Sequence, residues 1–150
     1  MGYILKIGEA VVKIGNNILA NINTLTSSII DVTFDRPAGV ALDIANDRYY
    51  ICESDTNSVR IMKYSDNTEI ATVSGFSSPR GIALDIANNR YYVCNLNADS
   101  VRIMKYSDNT EIDTINAQSS YKIALDIANN NIFISTFGND KLRILTYKYI

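Results

Sequence analysis

The chain has no histidine and no tryptophan, and only two cysteines and two prolines among its 150 residues. The missing histidine removes Ser-His-Asp triads, imidazole general bases and histidine-ligated metals together. Gly-rich phosphate loops and nucleophile elbows are absent as well. No catalytic residue, metal ligand or cofactor is therefore expected, and the chain reads as a non-enzyme. Cys52 and Cys94 lie 94 − 52 = 42 residues apart, which is the period of the repeat described below. Equivalent positions of neighbouring repeats rarely reach the roughly 4.4–6.8 Å Cα separation of a disulfide. Both are expected to be buried free thiols that pack as small hydrophobes.

Long apolar runs are missing too. None approaches the ~18 residues of a membrane-spanning helix, so no membrane insertion is expected. The opening stretch MGYILKIGEAVVKIG lacks a basic segment followed by unbroken apolar residues, so it does not read as a secretory signal. Acylation at Gly2 is not expected either, because Lys6 stands where the motif needs Ser or Thr. These readings place the chain in the cytoplasm, or carry it outside as part of a larger particle. The net charge of −2 offers no footprint for nucleic acid or an anionic membrane.

What is present is a globular composition, 47% apolar and 20% charged, in a length that suits one ordinary domain. Within it one unit occurs three times. Residues 37–78 and 79–120 are identical at 28 of 42 positions, and residues 121–150 are a shorter, more divergent copy offset by 124 − 83 = 41. The strongest shared stretch is SVRIMKYSDNTEI, at 58–70 and 100–112. Each full copy resolves into four short runs. In the first copy these are VALDI (40–44), RYYICE (48–53), SVRIMKY (58–64) and EIATV (69–73), separated by Asn/Asp/Ser turns. Short β-branched runs broken at this spacing are an all-β signature. Four strands in about 42 residues describe one propeller blade, a four-stranded antiparallel sheet.

In stacked blades the inner strands are covered on both faces, which explains runs such as YYIC that do not alternate. Tyr49 and Tyr50, like Tyr91 and Tyr92, should then place one ring on each face. Arg60, Arg102 and Arg143 are expected to pair with Asp43, Asp85 and Asp126. Ahead of the repeats, YILKI, AVVKI and NILANI recur at a spacing of seven between Gly-containing steps and read as a β-meander over residues 3–24. Residues 28–36 (SIIDVTFDR) alternate and are expected to form a further strand. Residues 1–36 are thus an amino-terminal segment before the three repeats at 37–150.

The stretch YYVCNLNADSVRIMKYSDNTEIDTI resembles the YVTN repeat of surface-layer propellers. The matching positions are Tyr92-Val93, Asn95, Ser100-Val101, Ile103, Thr110 and Thr114-Ile115. The opening Pro79-Arg80-Gly81-Ile82-Ala83-Leu84-Asp85 is similar to the start of an NHL repeat. The resemblance covers residues 37–150 and implies the fold; such propellers serve as scaffolds, receptors and some enzymes alike. Related lactonases and lyases use histidine or metal-binding acidic residues at the channel mouth, and no such residue is carried over.

Propellers have 4–8 blades, so three repeats leave a ring open. The expected solution is a homo-oligomer, with a closed dimer of six blades first. The last copy stops after its third strand, and residues 17–24, which lie over the fourth-strand sequences, are expected to donate one. The expected function is a non-enzymatic structural or interaction propeller that self-assembles, as part of a surface layer, virion or filament. The alternative is a propeller that recognises a peptide or glycan through its rim loops, where the copies differ most. On that reading the binding residues are Glu53, Asp55, Asn57, Asn95, Asn97, Asp99, Asn139 and Asp140.

Overall fold

Each repeat opens with the same Asp-Ile-Ala-Asn turn, and this turn sets the first hairpin of every blade. In the computed structural model, which describes residues 11–14, 17–21 and 30–147, Asp43, Asp85 and Asp126 end the innermost strands. A single 3-10 turn follows (Ile44–Asn46, Ile86–Asn88, Ile127–Asn129), and the Asn side chain at its end donates to the aspartate at 2.8–3.0 Å. The next residue, Asp47, Asn89 or Asn130, takes φ of 55–57°. Asp and Asn tolerate that left-handed geometry better than other residues carrying a Cβ.

The chain divides into two units, residues 1–31 and 32–150. In the first, β1 (Val11–Ile14) and β2 (Asn17–Asn21) form an antiparallel hairpin with Ile14 opposite Asn17. The expected YILKI strand lies outside the described residues.

The second unit holds the blades. Blade 1 is the sheet β3 (Pro37–Asp43), β4 (Arg48–Glu53), β5 (Ser58–Lys63) and β6 (Glu69–Ser74), in sequential antiparallel order. Blade 2 repeats it with β7 (Pro79–Asp85), β8 (Arg90–Asn95), β9 (Ser100–Lys105) and β10 (Glu111–Asn116). Blade 3 has three strands among the described residues, β11 (Ser120–Asp126), β12 (Asn131–Thr136) and β13 (Leu142–Thr146). The fold is all-β, built of β-propeller blades.

The expected strand over 28–36 is not present in its described part, residues 30–36. Its apolar residues have another use: Val32 and Phe34 lie on Tyr49, Ile51 and Met62 of blade 1. The Arg36 carbonyl is held by the Ser54 amide, an isolated bond rather than a ladder. Alternation there reflects packing against a sheet face, not membership of the sheet.

Blade packing follows the paired tyrosines. Tyr50 and Tyr91 meet between blades 1 and 2 with ring centroids 5.5 Å apart, in a cluster with Cys52, Val59, Ile61, Phe76 and Val93. Tyr92 points the other way and joins Cys94, Val101 and Ile103 against Ile132 and Ile134 of blade 3. Neighbouring residues of a strand face opposite sides, so one Tyr-Tyr pair serves two interfaces. Both cysteines are free and buried.

Candidate functional site

The loops after the second strand of each blade and the linkers between blades meet on one rim. Asn57 has φ of 54° and its Oδ1 accepts from the Ser78 amide at 2.7 Å. Asp99 repeats the arrangement on the Ser119 amide at 2.7 Å. Each residue thus clasps its blade to the start of the next. Asp140 occupies the same position in blade 3 with φ of 52°.

The eight rim residues read from the sequence have unequal roles. Glu53 is 1% exposed, pairs with Arg60 at 3.0 Å and accepts from the Asp35 amide and the Ser58 hydroxyl. Asn95 is buried too, with its Oδ1 on the Ser77 amide. These two hold linkers in place and are closed to a ligand. Asn57 and Asp99 are exposed, but each has one acceptor oxygen occupied by its clasp. Asp55 faces solvent and pairs with Arg36 at 3.2 Å. Asn97 and Asp140 are exposed and Asn139 is half-buried with an unpaired Oδ1. Among the described residues no three His, Cys, Asp or Glu side chains gather where a metal could be held. No helix among them is long and apolar enough to cross a membrane.

The repeated arginines do not pair with the first-strand aspartates, as the sequence had suggested. Those carboxylates accept from the Asn side chains of the 3-10 turns, while the arginines sit mid-strand on β5, β9 and β13. Arg60 pairs with Glu53 and, at 3.5 Å, with Glu69 of β6, and lies 5.3 Å from the Phe34 ring centre. Arg102 pairs with Glu111 of β10 at 2.6 Å, donates to the Gly75 carbonyl at 2.8 Å and lies 4.5 Å from the Phe76 ring centre. Among the described residues Arg143 has neither kind of partner: Ala117, whose amide bonds the Asp99 carbonyl as that of Phe76 bonds the Asn57 carbonyl, stands in the phenylalanine's place, and β13 has no outer neighbour. Its Nε is buried without a hydrogen-bond partner, as is that of Arg60.

The two ends of the stack carry exposed apolar groups whose counterparts in the other blades are more buried. On blade 3, Leu142 and Ile144 are 61% and 58% exposed, while their equivalents Val59, Val101, Ile61 and Ile103 are at most 2% exposed. On blade 1, Val40 and Leu42 are 60% and 57% exposed, and their counterpart Ile82 is 7% exposed. Beside Val40 an open apolar slot of ≈ 400 Å³ is lined by Phe34, Pro37, Ala38, Gly39 and Ile51. In the chain's own first interface the corresponding residues Phe76, Ile82 and Val93 are packed with Cys52 and Val59.

One position differs between the ends. A Cβ on Gly39 would meet the Arg80 carbonyl at 2.3 Å, and one on Gly81 would meet Lys122 Cα at 2.8 Å. Blade 3 has Lys122 there, and its Nζ donates to the Ala38 carbonyl of blade 1. A further blade therefore cannot approach this inner strand as closely as the first three approach one another.

No protein-family model and no curated protein matches the sequence. Solved structures do match. Hydrazine synthase from Kuenenia stuttgartiensis aligns over 83% of this chain and 36% of its own, with a TM-score of 0.67 and 15% identity. A functionally unknown protein from Desulfotomaculum acetoxidans DSM 771 aligns over 81% and 41%, with a TM-score of 0.65 and 19% identity. A candidate 6-phosphogluconolactonase from Bacteroides uniformis ATCC 8492 aligns over 75% and 37%, with a TM-score of 0.64 and 15% identity. The chain spans about two fifths of the length of these proteins. At such identities the likeness is one of fold: three blades of a propeller.

Proposed function

We propose that the chain is a non-enzymatic structural or interaction propeller of the YVTN/NHL kind that self-assembles through its two end faces. One observation carries this reading: each end face exposes apolar residues at positions that are buried inside the chain, Leu142 and Ile144 at those of Val59 and Ile61, and Val40 at that of Ile82. Leu142 and Ile144 of one copy take the roles of Val59 and Ile61, and the slot beside Val40 and Phe34 of another receives them. Charge agrees with apolar shape. Asp140 continues the Asn57 and Asp99 clasps, and the residue matching Ser78 and Ser119 at the start of blade 1 is Arg36, also at positive φ.

Energies favour closure over a single contact. Burying a large aliphatic side chain is worth about 1.5–3 kcal/mol, so a seam of five or six gives on the order of 10 kcal/mol. Association costs about 4–15 kcal/mol in lost freedom. One seam is therefore marginal, whereas two copies closing a six-bladed ring form two seams for one association. Lys122 does not permit the close approach made at Gly39 and Gly81, so the contacts of this seam would lie along β12 and β13 against β3 and the Phe34 segment that covers β4. Rim recognition of a peptide or glycan has less support, because Glu53 and Asn95 are buried.

Light scattering on the full chain tests the reading. A closed dimer gives 2 × 16.7 = 33.4 kDa. Leu142→Asp, at a position exposed in the single chain, should leave the fold intact and yield the monomer. A folded wild-type monomer at 16.7 kDa across micromolar concentrations, with no response to Leu142→Asp, rules it out.

A further inference from the structure

The outer edge of β13 is the least satisfied part of the blades. Among the described residues it pairs only with β12, so one row of its backbone amides and carbonyls has no ladder partner. Such a row is a template for another strand. The side chains say which strand. In the two complete blades the outer strand brings a glutamate to the mid-strand arginine, Glu69 to Arg60 and Glu111 to Arg102. The same strand brings a threonine that donates to that glutamate, Thr72 at 2.8 Å and Thr114 at 2.6 Å. Arg143 keeps the arginine and, among the described residues, lacks the acid; its Nε, like that of Arg60, is buried without a hydrogen bond. Leaving a charged donor buried without a partner is costly, and a carboxylate restores it.

We propose that the β13 edge is a recognition site for an extended segment of a partner polypeptide carrying a glutamate. The segment adds as a fourth antiparallel strand and sets its carboxylate on the Arg143 guanidinium. Blade 1 gives the register, because Val59, Arg60, Ile61 and Met62 stand opposite Val73, Thr72, Ala71 and Glu69. Transferred to blade 3, the glutamate stands opposite Leu145, a threonine or serine opposite Arg143, and a β-branched residue opposite Leu142. The preferred segment thus reads Glu-apolar-x-Thr-Val. Main-chain bonds supply affinity and the acid supplies selectivity, as in other strand-addition complexes.

The chain's own residues 17–24 fit this site poorly. Laid over the fourth-strand sequences, they put Ile18 where Glu69 and Glu111 stand, and Arg143 stays unpaired. The occupant is therefore a different, acidic segment. The inference does not depend on self-assembly, since the seam uses blade faces and this site uses a strand edge.

The test uses a fluorescent peptide of residues 67–74, NTEIATVS, titrated with the full chain and followed by anisotropy and amide hydrogen exchange. Saturable binding is expected, with new protection at residues 142–146. Replacing the peptide glutamate by glutamine, or Arg143→Gln in the chain, should each weaken binding about fivefold or more, and both together no further. The peptide change cannot disturb the fold of the chain, which keeps the test decisive if Arg143→Gln unfolds it. Absence of saturable binding at about 1 mM chain, equal binding of the glutamine peptide, or equal binding of a peptide of residues 17–24 would each overturn the proposal. Light scattering on the same samples reads assembly separately. A dimer that binds no peptide sinks this inference alone, and a monomer that binds it sinks only the dimer.

Discussion

The Tyr106 hydroxyl of blade 2 donates a hydrogen bond to the Asp43 carboxylate of blade 1, joining residues 63 apart in the chain. Asp43 is 3% exposed, and Asn46 bonds the same carboxylate from its own turn. Arg48 lies 5.8 Å from the Tyr106 ring centre and balances the charge. The bond ties the first turn of one blade to the third strand of the next. Tyr106→Phe removes only the hydroxyl and should cost about 1.5–3 kcal/mol, the range for hydrogen bonds to charged groups. Thermal denaturation reads this as a drop of several degrees, and an unchanged melting temperature would show the bond to be idle.

Gly81 sits where the inner strands of blades 2 and 3 touch. Gly81→Ala places a methyl 2.8 Å from Lys122 Cα and the Tyr121 carbonyl, both backbone, so the strands must part. Overpacking of this kind costs about 1–3 kcal/mol. Denaturant titration should show a lower midpoint, with a larger loss than for Gly138→Ala. Gly138 has open space around it, though its φ of 78° adds some strain of its own. Equal losses at the two sites would refute the close-approach argument.

Burial pushes the thiols of Cys52 and Cys94 up to about 12, with desolvation the leading cause for each. So little thiolate is then present near pH 8 that thiol reagents should react with the folded chain only as fast as it opens. The sign for stability follows. Folded values above the unfolded one mean that the native state keeps its protons longer, so this contribution is complete below about pH 9 and declines above it. Burial raises Tyr91 and Tyr106 as well, which steepens the loss. Urea midpoints should be flat from pH 7 to 9 and fall by pH 11; fast labelling of the native chain at pH 8 would contradict the burial.

Much of the fold was readable in the residues because the repeat supplies its own internal control. Turn chemistry at Asn46-Asp47 and Ser65-Asp66-Asn67 is local, and local rules hold wherever the same residues recur. The paired tyrosines were readable for the same reason, since strand alternation places neighbours on opposite faces. Arg60 was misread because its partner depends on register. Glu69 is nine residues away in sequence and across the ladder, while Asp43 lies at the end of a strand two places off. The segment at 30–36 was misread because alternation marks a covered face and does not say whether the backbone is paired.

The candidate site was harder to read. Glu53 and Asn95 look like loop ligands in a string of polar letters, yet they are buried under the linkers they hold. Arg143 gave no warning, because an arginine in a strand is ordinary until its two counterparts are seen with their glutamates. Lys122 breaks a glycine column, at Gly39 and Gly81, that the sequence reading passed over. Its meaning required the 2.3 and 2.8 Å approaches that a Cβ would make at those glycines.

The sequence by itself determined that residues 37–150 hold three copies of one repeat, where the turns between its strands fall and which faces of those strands are apolar. These follow from short-range sterics and from a period that one chain states three times. Only the tertiary structure decided which apolar faces are covered, which clasps are closed and which arginine is left without its acid. Those depend on what stands beside each blade in space. Residues 79–120 have a blade on either side, whereas blade 1 and blade 3 each turn one interior face outward.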